Sequence, residues 1–309
     1  MGYCSVTIME ARDLHYFAVV AEHGNLRRAA DAIGISQPAL SKTLRRLEKS
    51  AGTKIVKRTP KGVELTAMGN ALLTHARRLQ LAMDDVLKEV ADLNGGRSGL
   101  LCIGASFEAA ELLLPSACEI LLKRSPDVIT KITVGTNEAL IPALRSAELD
   151  LIISGIPAAG DKDFVQERLW DDEFIVCAAA SHPLAGKKRI TIANLAGERW
   201  ALASATTLAW QQIYRAFADN GLPPPHVAME ANFRLIRLRV ISRSGLLGYT
   251  PRWELQQAAQ QLKLVEIPVK ELAWKRTLGV RYRRDAYLSP AARRFIEILK
   301  SEAMRLPKK

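Results

Sequence analysis

Ala29-Ala30-Asp31-Ala32-Ile33-Gly34-Ile35-Ser36-Gln37-Pro38-Ala39-Leu40-Ser41-Lys42 reads as a short helix, a glycine turn and the start of a second helix. Ala29, Ala30 and Ile33 keep one face small and apolar, so that a second helix can cross it closely. Gly34 supplies the turn because it accepts positive φ without steric cost. Ser36 is a good N-cap, and Pro38 falls in the first helical turn, where its missing N–H costs little. The helix that follows is expected to bury Ala39, Leu40, Leu44 and Leu47. That leaves Gln37, Ser41, Lys42, Arg45 and Arg46 on polar faces, where such side chains suit base edges and phosphates. The spacing predicts a helix-turn-helix that enters a DNA major groove.

Working outward, Gly52-Thr53-Lys54-Ile55-Val56-Lys57-Arg58-Thr59-Pro60-Lys61-Gly62-Val63-Glu64-Leu65-Thr66 reads as two strands around a tight basic turn. This is a β-wing, with Lys57, Arg58 and Lys61 at its tip to reach a neighbouring phosphate or minor groove. Thr66 then caps another helix. Charge follows the same geography. The chain carries a net charge of +12, and residues 1–80 hold 13 Lys and Arg against 6 Asp and Glu, leaving only +5 for the longer remainder. Positive charge concentrated on a nucleic-acid motif is its electrostatic footprint.

Residues Leu14 to Gly69 resemble the DNA-binding domain of the LysR-type transcriptional regulators. The resemblance runs through Leu14-x-x-Phe17, Val20-Ala21-Glu22, Ala29-Ala30, Ile35-Ser36-Gln37-Pro38-Ala39-Leu40-Ser41, Leu47-Glu48, Gly52, Arg58-Thr59 and Leu65-Thr66-x-x-Gly69. Asn25-Leu26 departs from the family's usual Ser-Phe/Leu opening, though Asn remains a competent cap. Ile55-Val56-Lys57-Arg58 stands where the family usually has Leu-Phe-Glu-Arg, which shrinks a core residue and makes the wing more basic. The resemblance implies double-stranded promoter DNA as partner, bound through Gln37, Pro38, Ser41, Lys42, Arg45, Arg58, Lys61 and Thr66.

Ala67 to Leu93 reads as one long helix. Met68, Leu72, Ala76, Leu79, Met83, Val86, Leu87, Val90 and Leu93 recur at steps of three and four, an apolar stripe too long for the small winged domain to cover. The resemblance implies an antiparallel helix from a second subunit, hence a homodimer or homotetramer. Asn94-Gly95-Gly96-Arg97-Ser98-Gly99 follows as a glycine-rich hinge.

Past the hinge, strands and helices alternate. Leu100–Ala105 is an expected strand and Ala109–Lys123 a helix; Val128–Val134 and Asn137–Ser146 repeat the pair, and Leu149–Ile153 is a further strand. This order predicts a parallel α/β sheet with ligand sites at the carboxyl ends of its strands. After Asp163–Trp170, a strand Glu173–Ala180 opens a second unit. It contains Ser181-His182-Pro183-Leu184-Ala185, a helix Trp210–Asn220 and the turn Gly221-Leu222-Pro223-Pro224-Pro225. Leu262–Val269 leads back, Leu278–Tyr282 adds a last strand, and Ser289-Pro290 caps a terminal helix. The expected fold class is therefore α/β: an N-terminal winged helix-turn-helix (1–66), a linker helix with hinge (67–97) and a two-lobed, periplasmic-binding-protein-like effector domain (98–309). Lobe I takes 98–167 and 269–309, and lobe II takes 168–268. Leu149-Asp150, His182-Pro183-Leu184-Ala185 and Leu288-Ser289-Pro290-Ala291-Ala292 extend the family resemblance through this region.

Ser106 follows the first strand beside a helix N-terminus, whose free N–H groups attract an anion. Phe107 is next to it, and Thr136 and Asn137 hold the same position after the second strand. Ser204 and Thr206 follow Trp200-Ala201-Leu202-Ala203 in the second lobe, and Phe233 precedes a helix at 234–241. By resemblance these residues converge on a small-molecule effector between the lobes, with an organic anion as the expected class.

Motifs of catalysis are missing: there is no Gly-x-Ser-x-Gly elbow, no phosphate-cradling glycine loop, no His-Glu-x-x-His and no Gly-x-Gly-x-x-Gly. An enzyme is not expected, nor a cofactor. The five histidines are dispersed without zinc spacing, so no metal is expected. Cys102, Cys118 and Cys177 sit in apolar runs as small hydrophobes, while Cys4 lies in an N-terminal extension without a secretory pattern. No apolar run approaches the roughly 20 residues of a membrane span, so the cytoplasm is the expected compartment. A solute-binding module sharing only the two-lobed domain is the alternative, and the winged domain speaks against it.

Overall fold

The computed structural model describes residues 9–60, 62–93, 99–157 and 160–306 of the 309-residue chain. The chain divides into two compact units between Gly95 and Gly96. Lys61, the extension 1–8 with Cys4, and hinge residues 94–98 lie outside the described residues.

In the first unit, α1 (Ala11–His23), α2 (Leu26–Ile33) and α3 (Gln37–Ala51) close on a core of Phe17, Leu40, Leu44, Leu47 and Ile55. Local chemistry sets the boundaries. Asn25 accepts hydrogen bonds from the N–H groups of Arg27 and Arg28 at 2.9 and 3.1 Å, and Ser36 accepts one from Ala39. Gly34 ends α2 at φ 76°, a left-handed conformation open to glycine. Ala39 is exposed rather than buried. It lies about 100° around the helix from Leu40, outside the stripe that Leu40, Leu44 and Leu47 form. Strands β1 (Val56–Thr59) and β2 (Gly62–Leu65) pair antiparallel, and the Val63 N–H bonds to the Gly24 carbonyl at 2.7 Å, seating the wing on the turn after α1. Helix α4 (Ala67–Leu93) packs Leu72, Leu73 and Ala76 on this core. Further along α4, Leu79, Met83, Val86, Leu87 and Val90 are exposed.

The second unit is built on one nine-stranded sheet in the order β4-β3-β5-β11-β6-β9-β7-β8, with β10 (Leu264–Ile267) paired to β6. One half holds β3 (Leu100–Ala105), β4 (Ile129–Val134) and β5 (Leu151–Ile156). These pair in parallel and pack with α5 (Phe107–Leu112), α6 (Leu114–Arg124) and α11 (Pro290–Ala303) around Leu101, Ile103, Leu121 and Phe295. Helix α7 (Asn137–Arg145) covers the opposite face with Leu140 and Leu144. The other half holds β7 (Arg199–Leu202), β8 (His226–Glu230) and β9 (Leu247–Pro251), also parallel, with α8 (Leu208–Asp219) packing its Phe217 against Trp200. Helices α9 (Arg234–Ile241) and α10 (Arg252–Leu262) contribute Leu238, Ile241 and Leu255 to a separate cluster with Cys177.

Two long strands, β6 (Phe164–Ala179) and β11 (Trp274–Arg283), run antiparallel to each other from Phe164↔Arg283 to Phe174↔Trp274 and join the halves. Three expectations change accordingly. The sheet is mixed rather than parallel, because β11 pairs antiparallel with both β5 and β6. Asp163–Trp170 and Glu173–Ala180 belong to one 16-residue strand. The helix expected at Ala109–Lys123 is two helices, one ending and the next beginning at Leu113. Pro115, in the first turn of α6, has no N–H to continue the hydrogen-bond ladder of α5.

Candidate functional site

The first unit gathers its polar residues on one surface. Gln37, Pro38, Lys42 and Arg45 of α3 are exposed, and Ser41 is half-buried beside them. Arg58 on β1 donates to the Ser41 hydroxyl at 3.4 Å, so the wing and the second helix of the turn motif share a face. Two residues take other work. Thr66 donates to the Lys54 carbonyl at 2.8 Å and accepts from the Gly69 N–H at 3.0 Å, which uses its hydroxyl to join α4 to the wing. Arg46 turns back to α1, where its Nε donates to Asp13 at 2.6 Å; Asp13 is only 1 % exposed. That bond raises the Arg46 pKa. Sequence reading passed over Arg27 and Arg28, exposed in the first turn of α2; their basic pair after a capping Asn was the available signal.

The second unit contains a cavity of about 950 Å³ whose walls come from both halves of the sheet. Ser106, Phe107, Thr136 and Asn137 line it, together with Glu108, Ser154 and Gly155 from the same half. Phe164, Gln166, Phe174, Trp274 and Arg276 contribute from the crossing strands, and Ala203, Thr207, Leu208, Arg237 and Tyr249 from the other half. Ser204, Thr206 and Phe233 do not line it. The turn at 204–207 is folded on itself: the Ser204 N–H donates to Asn232, the Ser204 carbonyl accepts from Thr207, and Thr206 bonds to the Ser204 hydroxyl. Thr207, the N-cap of α8, reaches the cavity instead. Phe233 is 59 % exposed at the start of α9, and Arg237, one turn later, takes its place on the wall.

Buried charge surrounds this cavity. Arg276 lies over the Phe174 ring at 4.4 Å, 3.5 Å from Glu108 and 3.9 Å from Asp172. Arg234 on α9 pairs with Glu111 on α5 and lies 3.8 Å from Glu254 on α10. Glu254, 2 % exposed, accepts a hydrogen bond from Thr250. Two carboxylates so placed do not share ionisation equally. Burial pulls Glu108 upward, but Arg276, its own backbone, Ser106 and Arg237 together bring its pKa below the usual carboxylate range. Burial, aided by the Glu108 charge, pushes Glu254 up to about 7.

A carboxyl whose pKa is higher folded than unfolded destabilises the fold progressively as pH rises from the unfolded value through the folded one. Here that window runs from the ordinary glutamate value of 4.5 to about 7. Glu254→Gln is therefore expected to match the parent's melting temperature near the bottom of the window. Above its top the variant should melt higher by at least about 3 °C, with a ceiling near 3 kcal/mol. Thermal melts across the range check this, and a pH-independent difference would contradict it.

Burial also pushes Cys177 up to about 12 and raises Cys118, so neither is set up as a reactive thiolate. Among the described residues, no cluster of His, Cys, Asp or Glu could hold a metal, and no helix is long and apolar enough to cross a membrane.

A winged helix-turn-helix with a basic face, followed by a two-lobed unit around a polar cavity, defines a DNA-binding protein with a small-molecule site. Residues 11–70 match the model of the bacterial regulatory helix-turn-helix protein, lysR family, and residues 94–304 match that of the LysR substrate binding domain. The chain belongs to the LysR family of transcriptional regulators. It is 29 % identical over 296 residues to the RuBisCO operon transcriptional regulator of Allochromatium vinosum, covering 96 % of this chain and 97 % of that one. Identity is 30 % over 307 residues with the SDS degradation transcriptional activation protein of Pseudomonas sp. (strain ATCC 19151), covering 96 % and 98 %. The solved structure of full-length CbnR complexed with its target DNA superposes with a TM-score of 0.60 at 20 % identity, covering 95 % of this chain and all of that one. A transport module sharing only the two-lobed domain would lack the segment 11–70, so that alternative falls.

Proposed function

We propose that this regulator reads promoter DNA with α3 and steadies itself with the wing. Gln37, Ser41, Lys42 and Arg45 face base edges and phosphates, and Arg58 with Lys61 reaches the adjoining backbone or minor groove. The observation that carries this reading is the Arg58–Ser41 contact, which puts helix and wing on one basic surface. A small effector occupies the cavity bounded by Ser106, Thr136 and Asn137 on one side and Thr207 and Arg237 on the other. In this reading lobe I comprises 98–167 and 269–309, lobe II comprises 168–268, and α4 pairs subunits into a dimer or tetramer. The protein works in the cytoplasm and is not an enzyme. An effector regulates only if it binds two arrangements of the lobes with different affinity, since equal binding shifts no equilibrium.

Gel shifts on fragments selected by the parent protein test the DNA surface. Gln37→Ala should cost about 1–3 kcal/mol and relax preference at one base pair, while Arg58→Ala should weaken binding on every sequence and flatten the salt dependence. Unchanged affinity in both variants would remove DNA reading from this face.

A further inference from the structure

Arg234 on α9 is one cation between two carboxylates of different lobes. Its Nη2 donates to Glu111 on α5, 123 residues away in the chain, and its Nε lies 3.8 Å from Glu254 on α10. Glu111 belongs to lobe I, whereas Glu254, like Arg234 itself, belongs to lobe II. The pairing is repeated one turn along. Glu108 precedes Glu111 on α5 and Arg237 follows Arg234 on α9, each at the three-residue step that keeps side chains on one helix face. The Arg237 charge favours the ionised form of Glu108, and both residues line the cavity. Two acids of one lobe thus face two bases of the other.

The two carboxylates around Arg234 compete for it. Glu254 is 2 % exposed, and attraction between charges strengthens as water is excluded. When ionised, Glu254 draws Arg234 toward its own lobe and repels Glu108 across the boundary. When protonated, it is a neutral partner of Thr250 and leaves Arg234 to Glu111. The other charged groups around α10 are matched already: Arg252 of the same helix is held by Glu173 on β6 and Glu266 on β10, and Cys177 on β6 stays a neutral thiol. Parting of the lobes takes Glu108 away from Glu254 and eases its ionisation. The joined arrangement therefore binds the proton more tightly, and rising pH disfavours it as the proton leaves near 7.

We infer that the ion-pair row between α5 and α9 is a latch between the lobes, engaged through Arg234 and Glu111 while Glu254 is protonated and loosened when Glu254 ionises. The spacing of the lobes, and with it access to the cavity, then responds to pH as well as to an effector. The latch rests on the reading of the second unit as two lobes around the cavity.

The test measures the distance between spin labels at Lys123 on α6 and Asp219 on α8, exposed positions of lobes I and II. Labels are carried on encoded ketone side chains of the full-length protein, diluted with excess unlabelled protein so that only pairs within one chain are counted. At about pH 6, Glu111→Gln and Glu111→Lys should each lengthen the mean distance by at least about 2 Å, the scale of a domain rearrangement. Raising the pH to about 8 should move the parent toward the distance of Glu111→Gln, because Glu254 has then lost its proton. Glu254→Gln, neutral throughout, should keep the short distance at both values. Glu297→Gln, which removes an exposed ion pair within α11, should behave as the parent does. An unchanged distance in both Glu111 variants, a parent that ignores pH, a Glu254→Gln variant that follows the parent's pH response, or lengthening in Glu297→Gln equal to that in Glu111→Gln would each overturn the inference. Neither DNA nor effector enters the measurement, so failure of the latch is distinguishable from failure of the DNA-reading face or of the effector site.

Discussion

Gly69→Ala is expected to unfold the DNA-binding unit while sparing the effector unit. A Cβ at Gly69 would lie 2.0 Å from the Ile55 carbonyl oxygen and 3.1 Å from its carbon. Neither side can yield cheaply. Ile55 is fully buried in the core of the unit, and the same carbonyl accepts the Thr66 N–H at 3.1 Å. Gly69 in turn donates its N–H to the Thr66 hydroxyl. The clash is backbone against backbone at the joint between wing and long helix, so the cost should reach at least about 3 kcal/mol, the upper range for overpacking. Calorimetry should show the transition of the N-terminal unit lost or sharply lowered and the second transition kept, with DNA affinity gone. A variant that binds DNA with a wild-type melting profile would disprove the close approach.

Leu79→Glu combined with Val86→Glu is expected to separate the subunits. The two positions are 40 % and 57 % exposed, two turns apart on the apolar stripe of α4. In a helix pair each glutamate would be buried without a partner, a cost of several kcal/mol per charge. On the free helix it would merely be solvated. Light scattering should therefore report the monomer mass with folding intact. Operator affinity should fall by about 10²–10⁴-fold, the avidity lost when two half-sites are no longer engaged together. A mass equal to the parent's would mean that the stripe does not hold the subunits together.

The contrast between the two units shows which kinds of information are local. Asn25, Gly34, Ser36 and Pro38 each act within three or four residues of where they stand, as Thr66 does in capping α4, so caps, turns and helix starts of the DNA-binding motif could be read from the chain in order. The 3.6-residue period of α4 is likewise a property of one continuous segment. Ser106, Phe107, Thr136 and Asn137 were accessible by the same route, because a parallel strand running into a helix places its next residues at one end of the sheet.

Pairing between distant segments had no such signature. Arg46 sits on the same polar side of α3 as the residues assigned to DNA, and only the approach of α1, 33 residues earlier, makes it the partner of Asp13. Arg234 meets Glu111 across 123 residues, and Arg281 meets Asn137 across 144. With 44 basic and 32 acidic side chains in the chain, composition cannot choose among so many possible pairs. The exchange of Ser204, Thr206 and Phe233 for Thr207 and Arg237 at the cavity has the same origin. A shift of one to four residues within a turn or helix changes which side chain faces a wall, and the wall is set by how the two halves of the sheet close on β6 and β11. The sequence by itself determined the elements of the DNA-binding motif and their caps, because those follow from nearest-neighbour sterics and hydrogen bonding. Tertiary structure alone decided which charges are buried, which are paired and which side chains share the cavity, because desolvation and Coulomb attraction depend on distances through space that chain order does not encode.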